Sequence, residues 1–199
     1  MKHQKMNCPT GCMSCEQIEI MNTYRRLWTE HVVWTRFVIV SIAFGLPDLP
    51  LITARLLRNP MDFANELRPL YGDQIAMRFE VLLTEHLVIA ADLVVAAKAG
   101  NAEEVNRLRK LWYQNAKEIA DFLACINPCW SESLWRELLF DHLRMTEDEA
   151  VAILTGQYEK SIEEFDAIQA QALKMAEVMA CGIIRQFGLQ GPSWSPKGA

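Results

Sequence analysis

The tripeptide Thr-Glu-His occurs twice in this chain, at residues 29–31 and again at 84–86, and an apolar run follows it each time. Only four of the 199 residues are histidines, so two in the same local context are the strongest indication of chemistry. A neutral imidazole nitrogen is a common ligand of transition-metal ions, and a neighbouring carboxylate can bind the same ion or orient the ring. The tripeptide therefore predicts a transition-metal site built from His31, His86, Glu30 and Glu85.

Helical periodicity dominates the chain, and strand-like alternation is absent. The pattern predicts four long helices, over residues 16–44, 73–99, 102–126 and 146–187. Short helices are expected over 51–57, from Pro60 onwards, where Asn59 would cap the helix, and over 132–143. Together these elements predict an all-α fold, an antiparallel four-helix bundle whose two longer connections carry the short helices. Residues 16–188 would form one domain, between a Cys-rich flexible segment (1–15) and a disordered tail (189–199).

The candidate ligands lie at similar levels of their predicted helices. His31, His86 and Asn115 are each close to the midpoint of a long helix and on its apolar stripe. Midpoints of equal-length antiparallel helices meet at one level, so we expect these three side chains to converge. Buried polar groups need hydrogen-bond or metal partners, and Tyr158 or Gln169 from the last helix would complete the set.

The spacing of acid and base limits the kind of metal site. Di-iron carboxylate bundles use Glu-x-x-His, which places both side chains on one helix face. Adjacent residues lie about 100° apart on a helix, so Glu30 and Glu85 are expected at the edge of the stripe, orienting a histidine of the other helix. Two interpretations stay open: a site for a metal ion or small ligand, or a hydrogen-bonded polar layer that fixes helix register.

Two further polar residues stand in apolar surroundings. Arg36 precedes the apolar segment 37–44, and we expect it to pair with Glu85 or to contribute to ligand binding. The segment is apolar on nearly all sides, which favours a second covered face, covered either by the 46–72 segment or by a partner subunit in a homodimer or other homo-oligomer. His142 is expected near the end of the short helix 132–143, where it would interact with the helix dipole.

Three cysteines, Cys8, Cys12 and Cys15, form a Cys-x3-Cys-x2-Cys cluster before the first long helix. Thiolates this close can share one soft metal ion. The cluster is therefore a possible second metal site, with incidental thiols as the alternative.

Composition restricts the partners. The net charge is −5, without a run of basic residues, which disfavours nucleic acid. The apolar segment 37–44 is too short to span a bilayer, and no apolar stretch follows Met1–Lys5 as in a secretory signal. A cytoplasmic protein without a membrane partner is expected. The nine glycines are scattered and form no phosphate-binding loop.

Several segments resemble a known family. They are residues 28–36, 56–63, 126–131 and 182–187. They are similar to segments of small all-helical proteins of spore-forming Firmicutes, over residues 24 to 187. Members often carry the automatic label acetylglutamate kinase, so the resemblance implies a helical fold and, as an alternative function, that kinase activity. It implies no catalytic residues. A non-catalytic structural or self-associating protein is the other alternative.

Overall fold

The computed structural model describes residues 13–189, and all regular structure in this range is helical. The helices are α1 (Cys15–Phe44), α2 (Leu49–Leu56), α3 (Asn59–Tyr71), α4 (Asp73–Lys98), α5 (Ala102–Ile126), α6 (Glu132–Leu154) and α7 (Tyr158–Gln186). The predicted all-α class is confirmed.

The predicted break near Thr146 is wrong. Helix α6 runs without interruption from Glu132 to Leu154, so the short helix 132–143 and the start of the fourth long helix are one element. The hydroxyl of Thr146 donates to the carbonyl of His142, 2.8 Å away and four residues back. A threonine can make this bond inside a helix, and the sequence Thr-Glu-Asp-Glu is therefore not a helix start here. His142 consequently lies in mid-helix and not at a C-terminus.

Three of the inter-helix turns are formed at glycines with left-handed backbone, Gly45, Gly100 and Gly156, whose φ values are 65°, 71° and 75°. After each glycine, the next backbone N–H bonds to a carbonyl five residues earlier, at 3.0, 3.1 and 2.8 Å respectively. This is the Schellman motif, which ends a helix and favours glycine because φ is positive. The two intervals between the glycines differ by a single residue, so the same turn recurs almost periodically.

The helices between these turns form three equivalent pairs. In each pair the helix before the glycine (α1, α4 or α6) is an inner helix, and the three inner helices contact one another. The later helix (α3, α5 or α7) also packs against the inner helix of another pair, α3 on α4, α5 on α6 and α7 on α1. The contacts thus close into a ring of three helical pairs, and in the first pair α2 and α3 together take the place of the single outer helix of the other two.

The outer helices also share a buried sequence pattern. Asn59, Asn115 and Gln171 are evenly spaced, and each is followed at the fourth, fifth and eighth positions by an apolar residue, an alanine and another apolar residue. All nine following residues are at most 2% exposed: Phe63, Ala64 and Leu67 in α3, Ile119, Ala120 and Leu123 in α5, and Met175, Ala176 and Met179 in α7. The chain therefore contains an internal repeat with a period of about 56 residues.

Helices α1 and α7 are, by length and composition, apolar enough to cross a membrane. Of their most apolar windows, 44% and 61% respectively are buried inside the structure. Core helices of globular proteins meet the same criterion, and both helices line the core described above.

Candidate functional site

Three histidines meet among the inner helices. His31 of α1, His86 of α4 and His142 of α6 are 2%, 2% and 3% exposed. The ring centre of His31 is 6.4 Å from that of His86 and 5.7 Å from that of His142. The three residues occupy equivalent positions of the repeat, each at the same distance along the chain before its glycine turn. The repeat therefore brings one imidazole per helical pair into a single cluster.

Each imidazole is held by an amide side chain of its own pair. Nδ1 of His31 lies 3.1 Å from Oδ1 of Asn59, and Nδ1 of His86 lies 2.8 Å from Oδ1 of Asn115. Nδ1 of His142 lies 3.2 Å from Oε1 of Gln171. The same contact is thus made three times.

The amide nitrogens fix the tautomer of these rings. They donate to the carbonyls of Leu27, Leu82 and Leu138, at 3.0, 3.0 and 2.6 Å, each four residues before the histidine. A carbonyl can only accept, so the amide nitrogen faces it and the amide oxygen faces the imidazole. Because that oxygen also only accepts, Nδ1 of every ring carries a proton. Nε2, the other nitrogen, keeps its lone pair.

Burial keeps all three rings neutral. It lowers the pKa of His31 from 6.5 to about 4. For His86 burial, and next the proximity of His31, lower the pKa to about 3. For His142, burial and next the proximity of His31 and His86 lower the pKa to about 3. Charging one ring is costly away from water and near two others, so the cluster is uncharged at neutral pH.

The Nε2 atoms make no hydrogen bond within residues 13–189. They point away from the amides, because the two ring nitrogens lie on opposite sides of an imidazole. In this part of the chain, no group of three or more His, Cys, Asp or Glu side chains is arranged closely enough to hold a metal ion as it stands. The cluster therefore presents three lone pairs that are neither hydrogen-bonded nor yet in coordination geometry.

Tryptophans lie against two of the three rings. The ring centre of Trp28 is 5.4 Å from that of His31, and the ring centre of Trp112 is 5.3 Å from that of His86. The indole Nε1 atoms of both are buried and have no hydrogen-bond partner in the described chain. The surroundings of the cluster are thus apolar, with unpaired donors nearby.

An apolar cavity of about 90 Å³ lies on the C-terminal side of the histidines. Thr35, Ala90 and Thr146 line it, and each follows a histidine of the cluster by four residues. Trp112, which contacts His86, also lines the cavity. Leu87, the residue after His86, lines it too, and the other lining residues of the three inner helices follow a histidine by four or more positions. The cavity and the cluster are therefore consecutive layers.

The rim of the cavity carries its charged groups. Nε of Arg109 lies 2.6 Å from Oε2 of Glu147, and both residues line the cavity. Val151, on the same rim, is 51% exposed. The cavity therefore reaches the surface between α5 and α6, beside an ion pair whose charges cancel.

His31, His86 and Asn115 lie together in the structure, as predicted. The predicted carboxylate ligands do not lie with them. Glu30 binds Arg55 at 2.9 Å and Arg26 at 3.3 Å. Glu85 is exposed. Both face away from the cluster because adjacent helix positions diverge by about 100°.

The other predicted ligand-binding residues also lie away from the histidines. Tyr158 is the first residue of α7 and 53% exposed, and Gln169 is half-buried, without a hydrogen bond to any of the three rings. Arg36 binds Glu149 and donates to the carbonyl of Ser161 at 3.0 Å. The predicted Arg36–Glu85 pair is therefore wrong.

The cysteine cluster falls largely outside the described residues. Cys8 and Cys12 precede residue 13, and Cys15 is an exposed residue at the start of α1. The predicted second metal site stays a prediction.

Sequence reasoning missed three members of the site, Asn59, His142 and Gln171. Asn59 was expected as a helix cap, whereas its side chain is buried and binds His31. A signal for all three existed. Continuing the interval between the two Thr-Glu-His tripeptides once more along the chain leads, within one residue, to Phe-Asp-His at 140–142, and the same shift aligns the amides.

Comparison of the chain with protein-family models, with curated proteins and with solved structures finds no match. The histidine cluster and its amide partners are therefore the features from which a function has to be inferred.

Proposed function

We propose that this protein binds one transition-metal ion through the Nε2 atoms of His31, His86 and His142. The observation that carries the proposal is the threefold contact described above. Three amides hold three Nδ1 protons, so three neutral lone pairs remain in one buried cluster.

The donor set suits a catalytic or carrier site more than a closed structural one. Three neutral imidazoles leave a fourth position of a tetrahedral zinc ion open for water or another ligand. Imidazole also suits copper, iron and nickel. Hydrogen bonds from the second ring nitrogen to an oxygen acceptor orient such ligands and raise their basicity, which is the role proposed for Asn59, Asn115 and Gln171.

Metal binding requires the three rings to approach one another. Zinc–nitrogen bonds are about 2.0–2.1 Å long, whereas the ring centres are 5.7 and 6.4 Å apart. Bonds of that length require the three Nε2 atoms to converge on one point, an arrangement that the described residues do not have as they stand. The proposal therefore includes a rearrangement of the imidazoles when the ion binds.

Elemental analysis of untagged purified protein tests the proposal. We expect about one equivalent of zinc, copper, nickel, iron or cobalt per chain, and its loss in His142→Ala. His3→Ala, which changes the one histidine outside the cluster, is the matched control and should retain the metal. Metal-free protein whose melting temperature none of these ions raises would overturn the proposal, because a ligand that binds only the folded state must stabilise it.

As a second candidate we propose self-association through an apolar patch, defined as Phe37, Phe44, Leu51, Tyr158 and Ile162. These side chains are 44–76% exposed, and the rings of Phe44 and Tyr158 are 6.0 Å apart. Exposed apolar side chains that lie together, as Phe44 and Tyr158 do, mark interaction sites, which supports a homodimer. Light scattering at micromolar concentration should give a dimer mass for the wild type and a monomer mass for Phe44→Lys. A wild-type monomer would contradict this candidate.

We further propose a cytoplasmic location with neither membrane nor nucleic acid as partner. The net charge of −5 supports the absence of nucleic acid. The buried share of α1 and α7 favours core helices over membrane spans. Fractionation of the expressing cells tests the location, since recovery in the membrane pellet would contradict it.

For the architecture, we propose three helical pairs around a pseudo-threefold axis in place of the antiparallel four-helix bundle, on the strength of the repeated turns and contacts.

A further inference from the structure

We infer that the apolar cavity beside the histidines is the binding chamber of a small neutral ligand, mainly apolar and carrying one hydrogen-bond acceptor. The inference rests on the proposed function in so far as the ligand lies next to the bound metal. It adds the chemical class of that ligand.

The position of the cavity links it to the histidine cluster. Its inner wall is a ring of one residue per inner helix, Thr35, Ala90 and Thr146. The hydroxyl of Thr35 donates to the carbonyl of His31 at 2.7 Å, and that of Thr146 donates to His142 in the same way. Both hydroxyls are therefore engaged by the backbone, which leaves small, mostly apolar groups between the chamber and the histidines.

The lining determines the size and polarity of the ligand. Most of the lining side chains are aliphatic, including Val38, Leu87, Leu93, Val94 and Ala150. An apolar cavity of about 150 Å³ accommodates benzene. The volume of about 90 Å³ therefore suits a ligand smaller than benzene, of roughly four or five non-hydrogen atoms.

Trp112 is the reason why the ligand should carry a hydrogen-bond acceptor. It lines the cavity, is 3% exposed, and its indole Nε1 is buried without a hydrogen-bond partner in the described chain. A buried donor without a partner is costly, and a ligand that brings an acceptor oxygen or nitrogen removes that cost.

The charges of the lining favour a neutral ligand. Its two charged residues, Arg109 and Glu147, bind each other through Oε2 of Glu147, and Oε1 of the same carboxylate is buried without a hydrogen-bond partner in the described chain. A charged ligand in the apolar interior would have no counter-ion and would lose its hydration. A short ketone, aldehyde, ether or ester fits these constraints, and a carboxylate of the same size does not.

The test uses 2-butanone as the probe and the indole N–H signal of Trp112 in ¹H–¹⁵N spectra of the full-length protein as the readout. Trp112→Phe assigns the signal. We expect butanone to shift it saturably and propionate, a charged molecule of similar size, to leave it unchanged. Ala90→Leu, which fills the chamber, should weaken butanone binding at least about tenfold. Ala170→Leu, on the exposed face of α7, should not.

The outcomes separate this inference from the proposed function. No saturable shift in the wild type, an equal response to propionate, or an unchanged affinity in Ala90→Leu each overturns the ligand chamber. If Ala90→Leu does not fold, Ala150→Leu fills the same cavity and replaces it. Elemental analysis and melting temperatures with added metal ions report on the metal alone. Metal-free protein that none of the ions stabilises, but that shows a saturable, Ala90-dependent shift, overturns the proposed function and leaves the chamber in place.

Discussion

The amide oxygen of Asn115 lies 2.8 Å from Nδ1 of His86, and the amide nitrogen of the same side chain binds the carbonyl one helical turn before that histidine. One asparagine therefore connects two helices and sets which ring nitrogen carries the proton. Because Asn59 and Gln171 make the same two contacts in the other pairs, the chemistry of the cluster depends on these amides as much as on the histidines.

Asn115→Leu should weaken both stability and metal binding. Leucine leaves the Nδ1 proton of His86 without an acceptor in the interior, which costs about 1–3 kcal/mol of unfolding free energy. Loss of such a ring partner typically lowers metal affinity about 10–100-fold. Urea denaturation and metal competition titrations measure the two effects. Asn106→Leu, on the exposed surface of α5, is the control, and equal effects in the two variants would contradict the assigned role.

Stability should fall as the pH is lowered from about 6.5. The histidines have folded-state pKa values of about 4, 3 and 3, against 6.5 when unfolded, so the unfolded state takes up three more protons near pH 5.5. Burial, partly offset by Arg36, raises the pKa of Glu149 from 4.5 to about 7, which gives the folded state one extra proton in that range. The net difference of two protons predicts a loss of about 3 kcal/mol per pH unit.

Urea denaturation at pH 5.0, 5.5 and 6.0 measures that slope. Glu149→Gln removes the opposing group and should steepen it to about 4 kcal/mol per pH unit. A stability that does not change between pH 7 and pH 5 would show that the histidines are not neutral and buried as described.

Metal affinity should be nearly independent of pH between 7 and 5. Protons compete with metal ions for an ordinary histidine below its pKa of about 6.5. Here the pKa values of the three ligands are about 3 to 4, so competition begins only in more acidic solution. Zinc titrations of folded protein at pH 7, 6 and 5 check this, and a steep loss of affinity near pH 6.5 is the contrary result.

Arg36→Ala should be strongly destabilising. Glu149 is 2% exposed, and Arg36 is the cation that binds it. Without Arg36 the buried carboxyl of Glu149 has to stay charged without a counter-ion or take up a proton, and breaking a buried pair in this way costs about 3–5 kcal/mol. Replacing both residues, as Arg36→Met with Glu149→Leu, should recover most of the loss. Thermal denaturation compares the two variants, and a double variant no more stable than Arg36→Ala would argue against the pair as the cause.

Helix positions and the central level of His31 and His86 could be predicted from the sequence, because period-3.6 apolar stripes and midpoints are local properties. Gln171 could not be found in that way. The interpretation of residues 146–187 as one helix places Gln169 on its apolar stripe. The buried positions of α7 at that level are Ile168 and Ala172, and Gln171 lies at the edge of the buried face.

Asn59 and His142 were missed for different reasons. Asn before Pro is typical of a helix start, and local capping rules do not register that a histidine 28 residues earlier needs an acceptor. For His142, the capping-type sequence after it predicts a helix break and so a position near a helix end. In both cases a tertiary contact, repeated elsewhere in the chain, decides the role of the residue.

The Schellman turns have a consequence for how the chain can change in length. The stretches from histidine to glycine are equally long: 31–45, 86–100 and 142–156. Each imidazole therefore lies at the same height along its helix, measured from the turn that ends that helix. One inserted residue in such a stretch would displace its ring by about 1.5 Å and rotate it by about 100°, out of the cluster. Insertions and deletions should therefore be excluded from these three stretches and tolerated after the glycines, where the stretch 45–59 is one residue shorter than 100–115 and 156–171.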